Sequence, residues 1–174
     1  KIKIIGVYVI MHDYLNIAVT GDVDSGKSTL IGRFLYDTGS IADAAIEEIK
    51  DVSQRITGDF EFAYLLDSFE EERESKLTIE TTQAFCKTKK GKRFIFIDVP
   101  GHQELLKNML CGSSYADMAI LVIDVQSTIE EQTKRHLSIL KFLGIENIIV
   151  VLNKMDLVNF NEDVFKHKEE RITE

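Results

Sequence analysis

Gly21-Asp22-Val23-Asp24-Ser25-Gly26-Lys27-Ser28 is the stretch on which the fold turns. Two glycines bracket four residues, and a lysine and a hydroxyl follow at once, which is the G-x-x-x-x-G-K-[S/T] pattern. Its surroundings agree. Leu15-Asn-Ile-Ala-Val-Thr20 ahead of it reads as a short apolar strand, and Lys27–Tyr36 behind it carries Leu30, Ile31, Phe34 and Leu35 on one helical face. Glycines let the backbone wrap closely around phosphate oxygens, and the N–H groups of the loop and the helix N-terminus then point at the anion. The pattern predicts a nucleotide phosphate site built from Gly21, Asp22, Val23, Asp24, Ser25, Gly26, Lys27, Ser28 and Thr29. Lys27 is expected to reach the β- and γ-phosphates, and the Ser28 hydroxyl to ligate Mg2+. A glycine-rich turn that only caps a helix would use the same letters, but the strand before and the helix after favour the phosphate site. Asp22 and Asp24 are unusual beside an anion; a cation at Asp24 would offset the charge.

Outward from this loop the chain alternates strands and helices. Asp43–Ile56 has helical spacing, and Phe60–Arg73 reads as a weaker second helix. Thr78–Cys86 and Arg93–Asp98 read as strands joined by a Lys/Gly turn, hence a hairpin. Gln103–Leu110 is a helix, and Ala116–Val125 is a nearly continuous apolar run, as in a strand covered on both faces. Glu130–Leu143 is an amphipathic helix, Asn147–Leu152 a further buried strand, and a last helix begins at Asn161. Repeated strand–helix units predict a three-layer α/β/α domain whose sheet is mostly parallel with one antiparallel edge hairpin. Ligands bind at the carboxyl ends of the strands in such sheets.

Two more motifs fall at those ends. Asp98-Val99-Pro100-Gly101 closes the strand Arg93–Asp98. An acid there can hold Mg2+, and the Gly101 N–H can approach the γ-phosphate. His102 follows; in this setting it is expected to orient the attacking water rather than simply begin a helix. Asn153-Lys154-Met155-Asp156 ends the strand Asn147–Leu152. A carboxylate at Asp156 accepts from N1–H and the 2-amino group of guanine, a donor pair that adenine lacks, so a buried site of this kind rejects adenine. Asn153 would bond the other edge of the base and tie its loop to the phosphate loop, and the Lys154 stem would cover the ring. Thr78 is a third candidate Mg2+ ligand, touching the metal only when the γ-phosphate is present; an ordinary strand threonine reads equally well. His12, His136 and His167 are expected to be surface or partly buried polar residues without chemistry, and the acidic run Glu70–Glu74 a solvated helix face.

Composition limits the partners. With 174 residues the chain suits one domain. A net charge of −8 argues against a broad basic surface for nucleic acid or anionic lipid. Cys86 and Cys111 are the only cysteines; far apart, they offer neither metal spacing nor a disulfide framework, which suits a reducing, cytoplasmic setting. No apolar run approaches the length of a membrane span. Lys1–Ile10, apolar and strand-like, is too short for a signal peptide. It reads either as an extension before a natural start at Met11 or as an added edge strand. Residues 1–13 are therefore set apart from a nucleotide-binding domain over 14–174.

Taken together, Gly21–Ser28, Asp98–His102 and Asn153–Asp156 resemble the translational-factor class of P-loop GTPases over roughly Tyr14–Phe165. The class has G-H-V-D-x-G-K-[S/T] at the first and D-x-P-G-H at the second. The resemblance implies GTP and GDP as ligands with Mg2+, catalytic roles for Lys27, Gly101 and His102, and an apolar gate formed by Val23 and Leu77 in front of His102. Within the class, Gln132-Thr-Lys-Arg-His136, Leu143-Gly-Ile145, Asn153–Val158 and Phe160 look most like the GTPase subunit of bacterial sulfate adenylyltransferase. Elongation factor 1-alpha is a close relative, and Phe62–Asp67 looks somewhat like it. The first resemblance implies GTP hydrolysis that drives formation of adenosine 5'-phosphosulfate by a separate adenylyl-transferring subunit. The second implies delivery of aminoacyl-tRNA to the ribosome, with nucleic acid as partner in that case only. Two departures stand out. Glu72-Arg73-Glu74-Ser75-Lys76-Leu77-Thr78 has Lys76 where the class has glycine, and the class's last guanine-contacting motif, S-A-[K/L], is absent up to Glu174. The domain is thus expected to stop before the strand that carries that motif. Replacing Asp156 by Asn should shift preference from guanine toward xanthine nucleotides. Competition binding with GDP and XDP reads this, and an unchanged preference would remove Asp156 from base reading.

Overall fold

A computed structural model describes residues 14–41, 46–47, 49–50, 62, 82–98, 116–127 and 131–173. The expected helices at 60–73 (apart from Phe62) and 103–110, much of that at 43–56, and the candidates Leu77, Thr78, Val99, Pro100, Gly101 and His102 lie outside the described residues.

β1 (Leu15–Gly21) is the centre of the described sheet, whose order is β2-β3-β1-β4-β5. β2 (Thr82–Lys87) runs antiparallel to β3 (Arg93–Asp98); β4 (Met118–Asp124) and β5 (Ile148–Asn153) are parallel to β1. β1 also pairs in parallel with β3, setting Val19 beside Asp98. On its other side Gly21 lies beside Val122, and further out Asp124 lies beside Asn153. Parallel pairing thus brings Gly21, Asp98, Asp124 and Asn153 to one carboxyl edge.

The two-residue period of β1 divides the core. Ile17 and Val19 face α1 (Lys27–Thr38), packing with Ile31, Leu35, Phe96 and Val122. Ala18 faces the opposite way, into a cluster with Ala119, Leu140 and Ile145 under α2 (Glu131–Phe142). Helices therefore cover both faces, which is the expected three-layer arrangement with an antiparallel edge hairpin. A 3-10 turn (Met155–Val158) and α3 (Glu162–Thr173) follow β5.

Local chemistry sets the boundaries. α1 runs past the expected Tyr36 to Thr38, and left-handed Gly39 (φ 68°) ends it, with Ser40 N–H donating to Leu35 O at 3.0 Å. Gly144 stops α2 in the same way, with Ile145 N–H on Leu140 O at 3.0 Å. Gly91 (φ 80°) turns the hairpin, whose Lys87, Lys89, Lys90, Lys92 and Arg93 lie at the end of the sheet away from Asp98. One expectation is corrected. β5 is half-buried along its whole length rather than buried, because among the described residues only β4 pairs with it.

Leu35 is fully buried between α1 and the sheet. Leu35→Ala is expected to lower stability by about 3 kcal/mol through lost apolar burial and a residual cavity. Denaturant unfolding measures it; a loss below about 1 kcal/mol would mean that α1 is not anchored here.

Candidate functional site

The phosphate loop is a backbone structure that only glycine permits at its two ends. At Gly21 (φ 153°) a Cβ would lie 2.2 Å from Val122 O and 2.9 Å from Ser25 Oγ. At Gly26 (φ 92°) it would lie 2.2 Å from Asn153 Nδ2. Between them Asp24 takes a left-handed conformation (φ 59°), and Ser25 N–H donates to Asp22 O at 3.2 Å. Val23 projects into solvent at the tip, 87% exposed.

α1 opens directly from this loop. Its first internal bond is Leu30 N–H to Gly26 O at 2.9 Å, with no side-chain cap and no acidic residue in the first turn. The N–H groups of Lys27, Ser28 and Thr29 consequently have no carbonyl within the helix, and the positive end of its dipole faces the loop. Lys27 Nζ arches over the loop, donating to Gly21 O at 3.1 Å and Asp22 O at 2.8 Å. Ser25 Oγ is buried and finds no hydrogen-bond partner among the described residues. Free N–H groups, a lysine ammonium and an orphaned hydroxyl around a cradle that a Cβ would fill suit a polyphosphate. Ser28 sits in the first turn of α1, and half-buried Asp98 ends the neighbouring β3; a hydroxyl and a carboxylate form a hard-oxygen set that suits Mg2+.

The Asn153–Asp156 loop is bolted to the phosphate loop. Asn153 ends β5, and its Nδ2 donates to Ser25 O at 2.9 Å. Lys154 then takes a left-handed conformation (φ 58°), and Met155 starts the 3-10 turn with Asp156 in its first turn. Asn159 and Phe160 are also left-handed (φ 53° and 52°), closing the turn through Phe160 N–H to Met155 O at 2.8 Å. The Lys154 ammonium lies 2.8 Å from Asp124 Oδ2, and Gln126 N–H donates to Asp124 Oδ1 at 2.8 Å. Burial works to raise the Asp124 pKa, but the bonds from Lys154 and Gln126 and the charges of Lys154 and Lys168 outweigh it and hold the carboxyl below its usual range. Lys168 on α3 donates to Ser127 O in the same turn. Burial and the Arg171 charge push its ammonium pKa down, against the pull of Asp124.

Of the residues expected at the site, the structure brings Gly21–Thr29, Asp98 and Asn153–Asp156 to one edge. Two residues escaped the sequence reading. His136 is buried, 5% exposed, with Nδ1 2.8 Å from Thr20 Oγ1 and Nε2 3.6 Å from Asp22 Oδ1. It braces the phosphate loop against α2. The available signal was its spacing with Thr133 and Leu140, which are buried on the same helix. Asp124 is the other. Like Asp98 and Asn153, it is a polar residue ending a strand of the sheet, and that shared position was legible.

Comparison with known proteins agrees with this geometry. The elongation factor Tu GTP binding domain family matches residues 12–174. Elongation factor 1-alpha of Archaeoglobus fulgidus is 42% identical over 163 residues, covering 92% of this chain and 38% of that protein. Sulfate adenylyltransferase subunit 1 of a Sulfurovum species is 46% identical over 156 residues, covering 88% and 32%. The chain thus spans about a third of the length of these relatives. Among solved structures, the S. cerevisiae Ski7 GTPase-like domain bound to GDP and inorganic phosphate has a TM-score of 0.70 at 22% identity, covering 92% of this chain and 38% of that one, a likeness of fold. Sup35 complexed with GMPPNP has a TM-score of 0.57 at 28% identity, covering 91% and 32%.

Gly26→Ala forces a Cβ into Asn153 Nδ2 and strains the backbone. GDP affinity is expected to fall about a hundredfold or more, roughly 2.7 kcal/mol. Titration of a fluorescent GDP analogue checks it, and affinity within about threefold of wild type would mean that the two loops need not touch.

Proposed function

This chain belongs to the elongation factor Tu GTP binding domain family, and from that premise we propose that it is the GTP-hydrolysing motor of a sulfate-activating enzyme. The observation that carries the nucleotide part is the Asn153–Ser25 bond, which makes one site of the phosphate loop and the base loop. Gly21–Thr29 cradle the phosphates, with Lys27 placed to neutralise their charge. Asp156 accepts from guanine, Asn153 binds its other edge, and Lys154 and Met155 complete the loop around the base. Ser28 and Asp98 would hold Mg2+, with Thr78 as a further ligand. Bound there, Mg2+ would supply positive charge to offset that of the phosphate oxygens. Asp98, Val99, Pro100 and Gly101 bring a backbone N–H toward the γ-phosphate, and His102 orients the water that attacks it. The roles of Val99–His102 and Thr78 rest on the motif resemblance.

The sulfate assignment is supported by Gln132–His136, Leu143–Ile145 and Phe160, and by relatives named sulfate adenylyltransferase subunit 1 at 44% and 46% identity. Hydrolysis would then drive a partner subunit that makes adenosine 5'-phosphosulfate from ATP and sulfate, in the cytoplasm. A second reading, delivery of aminoacyl-tRNA to the ribosome, is favoured by elongation factor 1-alpha relatives at 41% to 44% identity.

The test is GTP turnover by the full-length protein with a candidate adenylyl-transferring subunit, with and without ATP and sulfate. The sulfate reading expects turnover to rise severalfold only when all are present. Turnover indifferent to sulfate, but raised by ribosomes with aminoacyl-tRNA, would replace it with the second reading.

A further inference from the structure

We propose that Asp124 is a positioning residue for guanine binding: it anchors the Lys154 ammonium so that the lysine stem is held as a wall of the base site. The proposal rests on the reading of Asn153–Asp156 as the base loop. Lysine alone does not hold its shape here. Its four-carbon stem is flexible, and the left-handed backbone at Lys154 (φ 58°) disfavours any residue with a side chain. Something outside the loop must fix it, and Asp124 is placed to do so. Parallel pairing puts Asp124 beside Asn153 at the ends of β4 and β5, and Val125 N–H donates to Asn153 O at 3.0 Å. The carboxylate divides its work. Oδ1 takes the Gln126 N–H, which fixes the carboxylate's orientation, and Oδ2 takes the Lys154 ammonium, both at 2.8 Å.

The pair is not a surface ion pair of negligible value. The Asp124 side chain is 21% exposed and that of Lys154 33%, so water screens the contact only in part. Lys168 reaches the same turn from α3 through Ser127 O, adding a second positive charge near the carboxylate. Asp124 therefore stays ionised, and the anchor holds at neutral pH. Lys154 is thus secured at both ends: its backbone follows Asn153, which is tied to the phosphate loop, and its ammonium is tied to β4. Between those fixed points the methylenes are the only part left to meet a base.

The experiment is a double-mutant cycle on the full chain with Asp124→Asn, Lys154→Met and the double variant. Binding of a fluorescent GDP analogue is the readout, and inorganic tripolyphosphate as competitor probes the phosphate end. Each single variant should weaken GDP binding about tenfold, near 1.4 kcal/mol, and the double variant hardly more than either. Tripolyphosphate affinity should stay at the wild-type level. Additive losses, unchanged GDP affinity, or a loss shared by tripolyphosphate would each overturn the proposal. Wild-type protein that binds tripolyphosphate but not GDP would remove the guanine reading and this proposal together; wild-type GDP binding with additive losses removes the proposal alone.

Discussion

A single hydrogen bond, Asn153 Nδ2 to Ser25 O, spans a gap that exists only because residue 26 has no Cβ. The rest of the site depends on it. It joins loops that are 128 residues apart in the chain, one after the central strand and the other after the last strand of the described sheet. Without it, the Gly21–Gly26 loop and the Asn153–Asp156 loop would move independently. With it, a ligand that carries both groups meets a surface whose two halves are already in register, and the ordering cost of binding is reduced. Gly21 plays a matching part at the other end of the loop, where the backbone passes against Val122 O.

The strands are what make such a bond possible. Parallel pairing of β1 with β3 and β4, and of β4 with β5, gathers Gly21, Asp98, Asp124 and Asn153 at one edge. Alternation along β1 supplies both cores from adjacent residues, so the loop that follows it is held from two sides. α1 adds an uncapped N-terminus aimed at the loop. His136, reaching through the second core layer to Thr20 and Asp22, braces the same loop from the α2 side.

Much of this was legible in sequence because it is local. The glycine spacing of Gly21–Gly26, the periodicity of α1 and the apolar run of β4 each state their structure within a dozen residues. What sequence left unclear is relational. That β5 is half-buried depends on which strand flanks it, not on Ile148–Asn153 themselves. His136 looks polar and therefore exposed, until Thr20 supplies a partner from a strand 116 residues earlier. The sequence places Lys154 over the base, but the carboxylate that holds it lies on a different strand, and no spacing rule connects Asp124 with Lys154.

The basic hairpin has a kinetic consequence. Lys87, Lys89, Lys90, Lys92 and Arg93 lie at the far end of the sheet from the nucleotide loop, on a chain of net charge −8. The hairpin's cations therefore do not lead a polyphosphate to the loop's mouth. Beyond about 10 Å, a Debye length at ordinary salt, those hairpin charges are screened from a ligand at the loop. Capture begins only on close approach, when the backbone donors of α1 and the ammonium of Lys27 come within reach. The hairpin's charge therefore adds little to the rate at which a polyphosphate reaches that end of the sheet.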